Sequence, residues 1–268
     1  MSHFSILVVG EDVEDLLQPF HEYECTGIDD EYVVWVDAEE TEADYEECIK
    51  DNEEVLKKYP TYFSWMKDYH NHEQNEHAVF GRKTNPNSKW DWYQVGGRWS
   101  GALLDKCGAK VDQLTKSKLD LETARKEAEA EAFIEYDAYE SATEGLEAPP
   151  LFKKFIELYD DIEDARKAFR DLSWNKALKV LDLYPLQDNV EYFRCHTGGR
   201  EAFIKERMDG ACTTFAVLKD GMWYERGEMG WFGSVSDEKG KDDWNSEWHK
   251  MVAGLDDDVQ LTVVDCHI

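Results

Sequence analysis

The chain carries a short apolar run at each end, and each reads as a strand. Phe4 to Val9 is closed by Gly10, and Gln260 to Asp265 precedes the last three residues. Runs of this length bounded by turn residues suit buried strands. The two are expected in one sheet, mixed or antiparallel, that contains both termini. Tyr32 to Val36 is a further strand, and residues 42 to 58 form an acidic helix with Tyr45, Ile49 and Leu56 as its apolar anchors.

Between the terminal runs the periodicity changes to helical. Leu121, Ala124, Ala128, Ala132, Tyr136 and Tyr139 recur at spacings of three and four, with Ser117 as N-cap and Asp120 in a weak capping box. Gly145 and Pro149-Pro150 stop that helix. Phe152, Phe155, Tyr159, Ile162 and Phe169 mark a second one, and the short connection makes the pair an antiparallel αα-hairpin. A third helix covers about 174 to 183, with Ser173 as cap and Pro185 beyond. The last third returns to strands, 213 to 218 and 222 to 225, around Lys219-Asp220-Gly221, where Asp-Gly signals a hairpin. A short helix over 243 to 252 follows. The class is α+β with a helical insertion: residues 1–116 and 186–268 form the α+β part, and 117–185 the insertion.

Charge limits the partners. The formal net charge is -29, from 30 basic and 59 acidic residues. Such a surface repels phosphate backbones and anionic membranes, so direct nucleic-acid binding is disfavoured. No segment approaches the roughly 20 apolar residues of a membrane span, and the opening lacks a basic, signal-like region. Six cysteines without a CxxC pair fit reduced thiols in a cytoplasm. The acids crowd the start, where the first 60 residues hold nineteen against three lysines. From 61 to 117 there are eight basic residues against six acidic ones.

That locally positive stretch contains the most unusual segment, Lys89-Trp90-Asp91-Trp92-Tyr93-Gln94-Val95-Gly96-Gly97-Arg98-Trp99. Strands are expected over 92 to 95 and 99 to 104, hinged at Gly96-Gly97. Paired glycines let the backbone aim its N–H groups at an anion, and arginine adds a fork for phosphate or carboxylate. The same step recurs as Gly198-Gly199-Arg200, and Trp231 lies in another glycine-rich segment, 226 to 233. Trp92, Trp99 and Trp231 supply rings that stack on a base. These residues together are read as a pocket for a nucleotide-like anion. The alternative is a set of tight turns whose arginines pair with the chain's own acids. P-loop, GxGxxG and GxSxG motifs are absent.

Three other clusters could carry chemistry. On a strand, Asp265 and His267 share one face and Cys266 takes the other. They could hold a metal or form a base with its orienting carboxylate. His3 joins them if the first strand pairs with the last, and His196 is a further donor. The run His70 to His77, with Glu73 and Glu76, has metal-binding residue types but no closed zinc spacing; a polar loop is its plain reading. Asp160, Asp161 and Asp164 fit a DDxxD pattern that would place Asp160 and Asp164 on one helix face, and it is read as solvated.

The opening segments Met1–Phe4, Leu7–Val13 and Pro19–Gly27, the Lys89–Tyr93 and Gly96–Trp99 segments, Gly227-Glu228-Met229-Gly230-Trp231 and the ending Leu261 to Ile268 resemble an uncharacterised family seen in phages and prophages. The likeness implies a mobile-element protein inside a bacterial cell and brings no catalytic role with it. The functional expectation is therefore an accessory protein that binds an anionic, nucleotide-like small molecule, with sequestration of a host signal as one use. The alternatives are an acidic nucleic-acid mimic that occupies a basic host protein, and a metal-dependent hydrolase built on Asp265 and His267.

Overall fold

The computed structural model describes residues 2–50, 52–181, 199–230 and 234–268. They divide into two compact units. The first comprises 1–99, 216–237 and 262–268, and the second 100–215 and 238–261.

The first unit is built on a mixed sheet that holds both terminal strands. Its strands are β1 (His3–Val9), β2 (Trp92–Val95), β3 (Ala216–Lys219), β4 (Met222–Glu225) and β5 (Gln260–His267), and they run in the order β4-β3-β1-β5-β2. β1 lies parallel to β3 with Leu7 opposite Val217, while β5 and β2 are antiparallel with His267 opposite Trp92. Ser2 and Ile268 exchange both backbone hydrogen bonds at 3.1 Å, the reciprocal pattern of an antiparallel pair. Phe4, Ile6, Leu7 and Val8 on β1 and Leu261, Val263 and Val264 on β5 are buried. Both faces of the central strands are thus covered, which explains their near-continuous apolar runs. The class is α+β, as the periodicities indicate.

The hairpin between β3 and β4 follows its turn chemistry. Lys219 pairs with Met222, leaving Asp220 (φ 53°) and Gly221 (φ 72°) as a two-residue loop. Two positive φ values in succession make the type I′ turn that matches strand twist. Other local expectations shift. The acidic helix over 42 to 58 is two helices, Glu42–Lys50 and Glu53–Lys58, because Asn52 accepts a hydrogen bond from Val55 N–H and starts the second. The strand after the Gly96-Gly97 hinge is replaced by a 3-10 turn, Gly97–Trp99, and only Leu103–Leu104 is extended there. A three-stranded antiparallel sheet, with Phe80–Thr84 between Val34–Asp37 and Glu73–Gln74, completes the regular structure used below.

The second unit is mainly helical: α1 (Leu121–Thr143), α2 (Phe152–Leu158), α3 (Ile162–Arg170), α4 (Ser173–Val180), α5 (Arg200–Asp209) and α6 (Lys241–Ala253). The cap of α1 is Asp120, which accepts from Thr123 N–H; Ser117 sits in a 3-10 turn before it. The alanine stripe is buried as expected, and Ala132 and Tyr136 pack with Phe203 and Ile204 of α5. The second long helix is divided. Asp161 accepts from the N–H groups of Glu163 and Asp164 and begins α3 anew, so Asp160 precedes the helix and shares no face with Asp164. Phe152, Phe155, Ala165, Phe169 and Leu178 form one cluster across α2, α3 and α4. On α6, Trp244 and Trp248 are buried, and their indoles donate to the Thr214 carbonyl and hydroxyl at 2.8 and 3.0 Å. Among the described residues no helix is long and apolar enough to cross a membrane.

A β-carbon at Gly221 would meet nothing within 4 Å, so substitution there tests backbone conformation alone. Gly221→Val is expected to cost about 1–2 kcal/mol, the penalty of a left-handed φ for a residue with a side chain. Equilibrium urea unfolding reads this directly, and an unchanged midpoint would exclude the type I′ turn.

Candidate functional site

The site forms in the first unit, where the ends of β1, β5 and β2 meet. Strand alternation places Asp265 and His267 on one face of β5 and Cys266 on the other. Register sets Trp92 opposite His267 and Gln94 opposite Asp265. From β1, His3 reaches the same face, and its Nδ1 lies 2.8 Å from Asp265 Oδ1. The His3 and His267 rings meet edge to face at 4.9 Å between centroids, and His3 also meets Trp92 edge to face at 6.2 Å.

Each histidine has its own carboxylate. His267 Nδ1 is 2.6 Å from Asp91 Oδ1, and Asp91 N–H donates to the His267 carbonyl at 2.9 Å. Backbone and side chain of the same aspartate thus hold one residue. Asp265 is 2% exposed and has both oxygens engaged: Oδ1 faces His3, and Oδ2 accepts from Arg98 N–H at 3.0 Å. A buried carboxylate costs several kcal/mol unless such bonds compensate it, so this arrangement orients His3 firmly.

The Gly96-Gly97-Arg98 turn therefore grips an anion that belongs to the chain itself. Gly96 (φ 69°) and Gly97 (φ 52°) both adopt left-handed conformations, and a β-carbon at Gly97 would fall inside the contact distance of the Asp265 side chain. Gly96 N–H donates to Val263 O at 2.8 Å and Trp99 N–H to Gly96 O at 2.9 Å, which pins the turn to β5. The Arg98 side chain is exposed and makes no ion pair among the described residues. Trp99 is half-buried, and Trp92 is 49% exposed.

A carboxylate on Nδ1 favours the tautomer that keeps the proton there and presents Nε2 as the working nitrogen. Two such imidazoles side by side form the equipment of an acid and a base. His267 Nε2 is buried and has no hydrogen-bond partner. The neighbouring thiols add no nucleophile. Burial, with the Asp265 and Asp91 charges, holds the fully buried Cys266 thiol well above its ordinary range. Burial and the hydrogen bond with Glu22, with nearby carboxylate charges, also raise the exposed Cys25 thiol. Glu22, Cys25 and Asp91 bring one donor atom each within 4.8 Å of one another, extending the polar cluster beyond Asp91.

The remaining sequence-derived site residues lie elsewhere. Gly199 (φ 70°) is the N-cap of α5 in the second unit, and the Arg200 guanidinium pairs with Asp137 and, at 2.9 Å, with Glu140 on α1. It lies 5.4 and 5.8 Å from the Phe133 and Tyr136 ring centroids. Arg200 thus ties two helices together. Gly198, Trp231 and the further donor His196 fall outside the described residues. Asp91 stands inside the tryptophan-rich motif without any spacing signal toward a histidine; its bonds to His267 form because Trp92 next to it pairs with His267 in the sheet. No family model, curated protein or solved structure matches the chain.

Gly97→Ala is expected to displace the Asp265 carboxylate and cost about 1–3 kcal/mol, combining left-handed strain with overpacking. The His3 imidazole resonances should shift with it in NMR spectra. A variant with native stability and unshifted histidine signals would contradict the close Gly97–Asp265 approach.

Proposed function

We propose that the first unit is an acid–base site acting on a small, phosphate-bearing, nucleotide-like anion, in the manner of a phosphoester hydrolase. The observation that carries this reading is the pair of aspartate-oriented histidines, His3 with Asp265 and His267 with Asp91, in ring contact at 4.9 Å. One imidazole that accepts a proton from water and one that donates to the leaving oxygen suffice for ester cleavage, each contributing about 10²–10⁴-fold; because His267 Nε2 is buried in the free protein, substrate binding has to open its side of the site. Asp265 and Asp91 are positioning residues. Arg98 is the cation available for the phosphate, and the open face of Trp92 suits a base or another flat group.

The test is hydrolysis of bis(p-nitrophenyl) phosphate together with a panel of nucleotides and cyclic dinucleotides. The expected result is turnover with a bell-shaped pH profile, the signature of one acid and one base. His3→Asn and His267→Asn should each lower kcat by about 100-fold or more, whereas Arg98→Ala should act mainly on KM. Absence of turnover for every probe, with no thermal stabilisation by millimolar nucleotide, would overturn the reading.

A further inference from the structure

A second cluster in the first unit uses none of these residues. Tyr62–Ser64 is a helical turn opened by a Thr61–Ser64 capping box, and it runs on into a π-helical turn, Trp65–Tyr69. Such turns are rare and concentrate at functional sites. The π turn ends where His70 N–H donates to Trp65 O at 3.1 Å, and His72 N–H then returns to Met66 O at 3.0 Å. Between them Asn71 takes a left-handed conformation (φ 56°), which asparagine tolerates better than most residues. This reversal stacks the His70 and His72 rings, 6.0 Å apart and within 7° of parallel.

One carboxylate faces both rings. Glu40 Oε1 lies 3.3 Å from His70 Nδ1, and Oε2 lies 3.2 Å from His72 Nε2. The Tyr62 hydroxyl donates to the Glu40 carbonyl at 2.7 Å, and the buried cluster of Tyr45, Tyr59, Trp65 and Met66 packs around Tyr62. His77 and Glu76, from the same histidine-rich stretch, are exposed, and their side chains meet each other at 3.5 Å.

His72 Nε2 and Glu40 Oε2 meet at hydrogen-bond distance, 3.2 Å, so what marks this cluster is the convergence of three donors on one point. The two aspartate–histidine contacts of the acid–base site are 2.6 and 2.8 Å. A cation that holds nitrogen and oxygen donors at about 2.0–2.1 Å in tetrahedral directions sets them about 3.3 Å apart. The two histidine–Glu40 separations, each to its own carboxylate oxygen, are near that value. The three donors all lie within 4.8 Å of one another. His72 is 8% exposed, whereas the His70 and Glu40 side chains are 22% and 34% exposed. The inner ligand is thus fixed by packing while the outer side stays open to water.

We propose that Glu40, His70 and His72 bind one divalent ion of the zinc class, through His70 Nδ1, His72 Nε2 and the Glu40 carboxylate. Imidazole donors select zinc and its neighbours over magnesium or calcium, which take oxygen ligands. Three protein donors with an open coordination position are the pattern of zinc that carries a water molecule, not of a closed structural site. The nineteen acidic residues among the first 60 favour the approach of a cation.

The test is zinc binding by the full-length chain after chelator treatment, read by equilibrium dialysis with elemental analysis. Wild type should take up zinc near neutral pH and release it to excess chelator. Glu40→Gln and His70→Ala alter partly exposed side chains, and each should remove one equivalent per chain or weaken its affinity by about tenfold or more. Zinc should raise the melting temperature of wild type and not of these variants. His267→Asn should keep this equivalent, so failure here is distinguishable from failure of the acid–base site. Zinc uptake absent at micromolar free metal, or unchanged in both folded variants, would overturn the proposal.

Discussion

Two backbone hydrogen bonds between Ser2 and Ile268 close the first strand against the last, and the site depends on that closure. The cost of joining distant segments grows only slowly with the length between them, and burial of the apolar runs of β1 and β5 offsets it. Register is then specific. Side chains alternate faces along a strand, so a slip of one residue would turn His3 away from Asp265. Both runs are buried over most of their length, and the paired arrangement brings one histidine from each end of the chain into ring contact.

Asp265 is the most demanding group in this arrangement. Charges are expensive to bury, and a buried polar network stabilises a structure only when its members are satisfied. Here the compensation comes from an imidazole and a backbone N–H, and the second requires glycine at position 97 for space. The glycine pair and the aspartate are 168 residues apart in the chain, yet each explains the other. The backbone N–H of Arg98, at the end of the glycine pair, is taken by an internal carboxylate.

Local features were readable where one short segment decides the outcome. The Asp-Gly turn, the alanine stripe of α1 and the sharing of one strand face by Asp265 and His267 all follow from neighbouring residues. Helix boundaries were harder. The apolar spacing of Phe152 to Phe169 continues across the break before α3, because periodicity records which face is buried but does not register a cap such as Asp161 competing for the backbone. Asp91 and Glu40 are not legible as histidine partners for a different reason: their partners lie 176 and about 30 residues away, and no spacing rule links them.

Sequence alone determined the α+β class, the apolar strands at both ends and the residue types available for proton transfer and metal binding, since these rest on periodicity and side-chain chemistry. Tertiary structure decided which carboxylate serves which histidine. It joined Asp91 to His267 through strand register and Glu40 to His70 and His72 through a left-handed reversal beside an aromatic core. Hydrogen bonds and coordination act over a few ångströms in space, a separation that distance along the chain does not encode.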